Sequence, residues 1–380
     1  MKLYSLLSIA VLFFFASCSS SRMASGTAAI TEIRFISQYK LPSGLTFEGT
    51  VVGGLSSIDY DSQKGLYYMI CDDPGARSPS RFYTAKINLS PTGIDSVILE
   101  KVTTIMNPAG KPYTDIREDR AHSLDAESMR YNPVKNEFII GTEGQRVNEG
   151  KKWLIEQPAV LVQHYDGTYK DSFALPANMI FHETQNGPRH NSVFEGMTFA
   201  DGYRSVYINT ESPIYEDGYA AGTGDSSAWI RINKFDVDSR KLLAQYAYRL
   251  DPVPYPAIPA GAFKINGVTD ILAFGKNDLL VLERGYSSGR GPSDVRVYLA
   301  AMRNASDISA VNSLEQSPPR KYFTKKLLFN FESLGRYIDN VEGVTFGPIL
   351  PNGHRSLIFV VDNDFLATRE MQFFLFEIIP

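Results

Sequence analysis

One pattern is written five times along this chain. Residues 194–212, FEGMTFADGYRSVYINTES, alternate apolar and polar side chains on both sides of an Asp201-Gly202 turn, which is the signature of a β-hairpin. The pattern recurs at 125–144 (DAESMRYNPVKNEFIIGTEG) and 340–364 (NVEGVTFGPILPNGHRSLIFVVDND). Weaker copies stand at 53–73 (GGLSSIDYDSQKGLYYMICDD) and 266–284 (NGVTDILAFGKNDLLVLER). The copies start about 70 residues apart, and self-similarity at a fixed period marks a repeat architecture. Each of the first four repeats holds four strand-like runs. The fifth holds three, at 342–347, 356–361 and 371–379, and then the chain ends. The missing strand is supplied by residues 32–41, EIRFISQYKL, which precede the first repeat. The expectation is an all-β fold: a β-propeller of five four-stranded blades, closed by the N-terminal strand, with six blades as the alternative partition. Radial closure leaves only short, protected strand edges.

At 380 residues the length alone permits two domains, but a closed array makes one. The net charge of -4, with no run of Lys or Arg, argues against a nucleic-acid partner. The first 18 residues read as a processing signal. Lys2 is followed by an apolar run over 6–15 that is too short to span a bilayer, and the segment ends in Phe15-Ala16-Ser17-Cys18. It resembles a bacterial lipoprotein signal, in which Cys18 is lipidated; an ordinary cleaved signal is the alternative. Residues 19–30 then form a polar tether and 31–380 the propeller. The expected location is the cell envelope, anchored in the outer membrane and facing either the periplasm or the exterior. Without Cys18 only Cys71 remains, so no disulfide framework exists, and Cys71 at the end of an apolar strand reads as buried.

Loop lengths point to the functional face. Turns between first and second strands are short, whereas connections after second strands and between repeats are long, as at 72–80, 107–125, 143–158, 176–194, 211–228 and 251–266. In antiparallel blades all of these long loops lie on one rim, where a site is expected. If the first strand of each repeat is the inner one, Glu127, Glu195 and Glu342 open inner strands at the channel mouth. Glu143, Glu211, Glu283, Asp72, Asp73, Asp362 and Asp364 then end second strands on the same rim. Converging carboxylates must be protonated or neutralised by cations. A hard cation with oxygen ligands, Ca²⁺ first, suits such a set. Repeats one and four break the ring, with Gly54 and Gly267 near the equivalent place. The alternative for these glutamates is a packing role, accepting backbone hydrogen bonds from the next blade.

Arg77, Arg81, Arg189, His190, Arg284, Arg290 and Arg369 share the rim, and arginine suits bidentate contact with phosphate or carboxylate. Pairing with the neighbouring acids is the plainer reading of any single one. His122, His182 and His190 lie in long rim loops and are candidates for general acid or base. Residues 285–289 match G-x-S-x-G, but join two strands rather than a strand and a helix, so Ser287 is not read as a nucleophile.

The segments GGLSSIDYD, DAESM, RHNSVFEGMTF, LLVLERG and NVEGVTFGPILPNGHRSLIFVVDNDF resemble the phytase-like family labelled "esterase-like activity of phytase". The resemblance implies an exported or membrane-attached propeller that hydrolyses phosphate or carboxylate esters. Arg189, Asn191, Glu195, Glu283, Arg284, Glu342, Asp362 and Asp364 fall on the family's recurring pattern. The resulting expectation is a metal-dependent hydrolase with Ca²⁺ held by Glu127, Glu195, Glu342, Asp362 and Asp364. Arg81, Arg189, Asn191, Glu283 and Arg284 would bind a small anionic ester, and Glu143 or Glu211 would serve as base. The protein is expected to act as a monomer that touches the membrane through its lipid alone. The alternative is a non-catalytic lipoprotein whose rim loops, with Tyr215, Tyr219 and Trp229, hold a ligand or partner.

Overall fold

The computed structural model describes residues 30–150 and 152–380. Cys18, the signal and nearly all of the tether lie outside them. Alternating side chains build five four-stranded antiparallel sheets. Blade one comprises Leu55–Asp61, Leu66–Cys71, Arg81–Ser90 and Gly93–Thr104. Blade two comprises Ala126–Asn132, Glu137–Thr142, Ala159–His164 and Tyr169–Ser172. Blade three comprises Phe194–Ala200, Ser205–Thr210, Ala228–Asp236 and Leu242–Leu250. Blade four comprises Lys264–Phe274, Asp278–Ser287, Asp294–Ala301 and Thr324–Asn330. Blade five joins Asn340–Ile349, Arg355–Asp362 and Met371–Ile379 to the N-terminal strand Glu32–Leu41. That last strand pairs from Glu32 opposite Ile379 to Leu41 opposite Met371, so the ring closes as the repeat count requires. Five four-stranded sheets rather than six form the ring among the described residues, with two-stranded hairpins at Thr46–Phe47/Thr50–Val51 and Gln145–Asn148/Trp153–Glu156 beside them.

The core lies between blades. Tyr68, Ile70 and Phe82 of blade one pack on Met129, Tyr131 and Phe138 of blade two. Between blades four and five, Phe331 meets Phe359 and Phe374 at centroid distances of 5.3 Å, edge to face. Each sheet thus buries both faces against its neighbours, and first strands contact first strands around the axis.

Every inner strand carries a β-bulge at the same position. The pairing skips Ser56 in blade one, Glu127 in blade two, Glu195 and Gly196 in blade three, Thr269 in blade four and Glu342 in blade five. A bulge re-aims the skipped side chain. The equivalents of the three glutamates in blades one and four are therefore Ser56 and Thr269, not Gly54 and Gly267. The glycine after two of the bulged glutamates permits close approach of the next inner strand. A Cβ on Gly196 would stand 2.7 Å from Asp270 Cα, and one on Gly343 would stand 3.0 Å from Ser57 Cα.

An ion pair crosses the axis halfway along the channel. Arg130 of blade two donates to both carboxylate oxygens of Asp270 in blade four, at 2.8 and 2.7 Å. Arg130 also donates to the Ile58 carbonyl of blade one at 2.6 Å, while Asp270 accepts from Val344 N of blade five at 2.8 Å and Met197 N of blade three at 3.3 Å. One buried pair thereby ties all five inner strands together and separates the two mouths.

Candidate metal centre at the channel mouth

Register builds two stacked rings of side chains at the long-loop mouth. The bulges supply Ser56, Glu127, Glu195, Thr269 and Glu342. The second ring comes from the second-strand residue that faces the position two before each bulge: Asp72, Glu143, Glu211, Arg284 and Asp362. Asp72 N donates to Gly54 O at 2.7 Å, Glu143 N to Asp125 O at 3.0 Å and Glu211 N to Val193 O at 3.0 Å, which fixes the same geometry in three blades. Arg284 faces Gly267 and Asp362 faces Asn340 in the corresponding register. Blade four thus places a guanidinium where the other blades place an acid.

Glu127, Glu143, Glu195, Glu211, Glu342 and Asp362 are buried, and Asp72 is half-buried. Glu127, Glu143, Glu195, Glu342 and Asp72 are held well above the usual carboxylate range by desolvation first and by the charges of neighbouring acids second. Asp362 is pushed up to about 7 by burial and by Asp364. Two carboxyl pairs share hydrogen bonds, Glu143 with Glu195 and Asp125 with Asp72. Glu143 Oε1 additionally accepts from Val193 N at 2.7 Å. Arg284 offsets part of the negative charge. It donates to Glu211 Oε1 at 2.6 Å and to Asn340 Oδ1 at 2.6 Å, and lies 3.9 Å from Glu342 Oε1. Burial works against its charge, but Glu211, Glu342 and Glu195 outweigh this and hold the guanidinium more firmly protonated. Its buried Nε has no partner in the protein.

Asp72, Asp125 and Glu127 bring one oxygen each within 4.8 Å of one another. Ligand oxygens about 2.3–2.6 Å from a Ca²⁺ ion lie within that span of each other, so the triad, with Glu127 buried and the two aspartates half-buried, can hold a hard cation. Asp125 and Asp72 line a pocket of about 320 Å³ together with Arg77, Arg120, His190, Asn191, Asp362 and Asp364. His190 is pushed down by burial and by the charges of Arg120 and Arg146, which leaves it neutral at neutral pH. Its Nδ1 accepts from Arg146 N at 3.4 Å, so Nε2 carries the proton.

Of the residues expected from sequence, Glu127, Glu143, Glu195, Glu211, Arg284, Glu342 and Asp362 share the mouth. Asn191 and Asp364 line the pocket, and Asp364 also pairs with Arg369. Three others are committed elsewhere. Arg81 is fully enclosed, donating to Asp73 at 2.8 Å, Tyr83 Oη at 2.7 Å and Val51 O at 2.5 Å. Arg189 clasps the neighbouring loop that follows Ser205–Thr210, through Pro213 O at 3.0 Å and Gly218 O at 2.7 Å. Glu283 sits one residue before the Arg284 position, and side chains alternate across a strand, so it faces the other side of the sheet. There it accepts from Tyr248 Oη at 2.7 Å and Asn266 Nδ2 at 2.8 Å, and pairs with Lys325. Ser287 Oγ donates to Tyr255 O at 2.6 Å inside a strand, with no nucleophile geometry. Among the loop aromatics, Tyr215 lies under Arg189 at 4.3 Å and Trp229 packs on Tyr322, while Tyr219 is exposed. Sequence reasoning missed Asp125 and Arg120. The signal for Asp125 was present: it opens the DAESM repeat two residues before the bulged Glu127.

Comparison with known proteins places the chain in a family. Solved structures similar to the chain include an endo-arabinase from Bacteroides thetaiotaomicron, at 10% identity over 90% of this chain and 98% of that one, with a TM-score of 0.44. A β-fructofuranosidase from Bombyx mori is similar at 8% identity over 91% of this chain and 62% of that one, with a TM-score of 0.41. No curated protein matches. Residues 50–365 match the model described as "Phytase-like: Esterase-like activity of phytase", and the chain belongs to that phytase-like family.

Proposed function

We propose that the protein is a metal-dependent hydrolase of small anionic esters, working at the long-loop mouth and anchored in the cell envelope through Cys18. The observation that carries this reading is the Asp72–Asp125–Glu127 triad, whose two half-buried aspartates open into the pocket that also holds Arg77, Arg120 and His190. A divalent cation there would polarise the ester oxygen and acidify a bound water. Calcium fits the all-oxygen donor set. Arg77 and Arg120 line the pocket and suit the anionic group of the substrate. Glu143 is the better placed base of the two glutamates, because Glu211 is tied to Arg284. Raised by burial and bonded to Glu195, Glu143 is a stronger base than an ordinary carboxylate. His190 Nε2–H faces the same pocket as a donor to a leaving oxygen. Family membership supports ester hydrolysis as the reaction class.

The test is turnover of p-nitrophenyl phosphate and p-nitrophenyl acetate by the chain from Ser19 onward, with Ca²⁺ and after chelation. Glu127→Gln and Arg120→Ala are compared with wild type. Hydrolysis should require the metal, fall at least ~100-fold in Glu127→Gln and show a raised KM in Arg120→Ala. Metal-independent turnover that survives Glu127→Gln would overturn the reading.

A further inference from the structure

The short-turn mouth, opposite the metal centre, opens on a second compartment that the hydrolase reading does not use. Asp59, Tyr60, Phe199, Tyr203 and Phe346 stand in its wall, and its volume is about 230 Å³. That lies below the roughly 300–1,000 Å³ of drug-sized sites, so only a small group fits. Arg130 reaches the same wall, but its terminal nitrogens are spent on Asp270 and on main-chain carbonyls. Asp59 is the carboxylate left over. Its Oδ2 accepts from Tyr131 N at 2.8 Å, while Oδ1 has only Thr345 Oγ1 at 3.5 Å and keeps acceptor capacity. Burial holds this carboxyl above its ordinary value against the pull of Arg130. Phe199 and Tyr203 stand beside it with their centroids 5.2 Å apart. A carboxylate with a spare oxygen among aromatic rings suits an ammonium group, which donates to the oxygen and rests on the ring faces.

The rim asks for the opposite charge. Each of the five connections between first and second strands carries an exposed basic residue, in the turn or at its edge: Lys64, Lys135, Arg204, Lys276 and Arg355. Acids at this end are already engaged. Asp61 lies 3.4 Å from Lys64 and Asp201 2.8 Å from Lys234, and Asp238 pairs with Lys135. Among the described residues, Arg204, Lys276 and Arg355 have no carboxylate within 4.0 Å. Arg355 lies 4.6 Å from the ring centroid of Phe346 in the compartment wall, and Arg204 directly follows Tyr203. A zwitterion with an ammonium and a phosphate on one short arm satisfies both centre and rim. The chain also enters the fold at this end. Arg34 of the N-terminal strand and His354 of a short turn hold the same Glu377, at 2.8 and 2.7 Å. An anchor at Cys18 therefore joins the propeller on the short-turn side. Val134 beside Lys135, and Ile349 opposite Arg355, are exposed there and offer apolar contact at headgroup depth.

We propose that the short-turn mouth docks on a phospholipid bilayer, with the primary ammonium of a phosphoethanolamine headgroup seated against Asp59 and its phosphate on Arg355. The headgroup site stands on the compartment alone; the orientation, with the metal mouth turned away from the bilayer, rests on the Cys18 anchor proposed above. The test uses the unlipidated chain from Ser19 onward. In calorimetry and saturation-transfer NMR, sn-glycero-3-phosphoethanolamine should bind saturably, at least about 10-fold more tightly than methylammonium or dimethyl phosphate. Asp59→Asn and Arg355→Glu should each weaken it at least about 10-fold, whereas Lys111→Glu, in a long loop, should leave affinity within about twofold. Vesicles containing phosphatidylethanolamine should sediment more of the protein than pure phosphatidylcholine vesicles do, and less of it as salt rises. Circular dichroism verifies that each variant is folded. Absence of saturable binding overturns the proposal, as does equal binding of either charged half or an affinity that Asp59→Asn and Arg355→Glu both leave intact. Vesicle binding indifferent to the ethanolamine lipid overturns it too. The anchor is tested separately, by release of full-length Cys18→Ser protein from the membrane fraction, and its failure would leave the headgroup site standing.

Discussion

At the scale of single residues, the most consequential interaction is the Arg130–Asp270 pair. Burial outweighs the attraction of Arg130 and pushes Asp270 up to about 6, so the pair is mostly charged at neutral pH and mostly uncharged on the Asp270 side at pH 5. Removing one member of a buried pair leaves the other uncompensated. Asp270→Asn should cost about 3–5 kcal/mol in urea unfolding, and the double variant Arg130→Met/Asp270→Leu should recover part of that loss. A cost below ~1 kcal/mol for the single variant would mean that the cross-axis pair is not what ties the blades. Nothing in the sequence announced this contact, because its members lie 140 positions apart in different repeats. The same blindness explains Arg81 and Arg189. They stand among rim loops in the sequence, but main-chain carbonyls that no pattern reveals have already claimed them. A second residue-scale expectation concerns pH. Asp362 binds its proton up to about 7 when folded and only to its ordinary value, 3.8, when unfolded. The folded state therefore holds more protons between these values, and the metal-free protein should lose stability as pH rises from about 4 through 7. Melting temperature without metal, followed from pH 4.5 to 8, should fall. A rise across that window would contradict the protonated mouth.

At the scale of elements, alternation made nearly every strand legible. Apolar residues at every second position show which sheet face is buried, and in a propeller both faces of a blade are. What alternation does not show is the bulge. It shifts equivalence within a repeat, which is why Gly54 and Gly267 looked like the gaps in the ring, whereas Ser56 and Thr269 occupy the positions. The glycine beside the bulge is required by close approach: Gly196→Ala forces Cβ against the Asp270 backbone and should cost about 1–3 kcal/mol. A neutral effect in thermal unfolding would mean that the inner strands separate without penalty. Closure is the other elemental claim. Deleting residues 30–41 bares the Met371–Ile379 edge, with Phe373, Leu375 and neighbours that pack under the missing strand. That deletion should abolish cooperative unfolding and promote aggregation, whereas a chain beginning at residue 30 should unfold as one unit. Soluble, cooperative behaviour of the shorter chain would contradict closure by this strand.

At the scale of the whole molecule, five blades do what none does alone: they bring single acids from distant repeats to one mouth. The sequence placed Glu127, Glu195, Glu342 and the strand-end acids there, because register is periodic. The tight triad was harder to foresee. Asp125 precedes its strand and Asp72 follows one in the neighbouring blade, so their meeting depends on how blades one and two pack. The central claim is that this mouth holds a hard cation rather than a stack of shared protons. The measurement that tests it most directly is a calorimetric titration of Ca²⁺ into chelated protein from Ser19 onward, at pH 7.5, with Glu127→Gln alongside. The account predicts saturable binding of about one ion per chain, proton release that varies with buffer, and loss of binding in Glu127→Gln. No heat of binding in the wild-type protein, or binding that Glu127→Gln leaves intact, would contradict it and make the buried carboxyls a proton-sharing packing device.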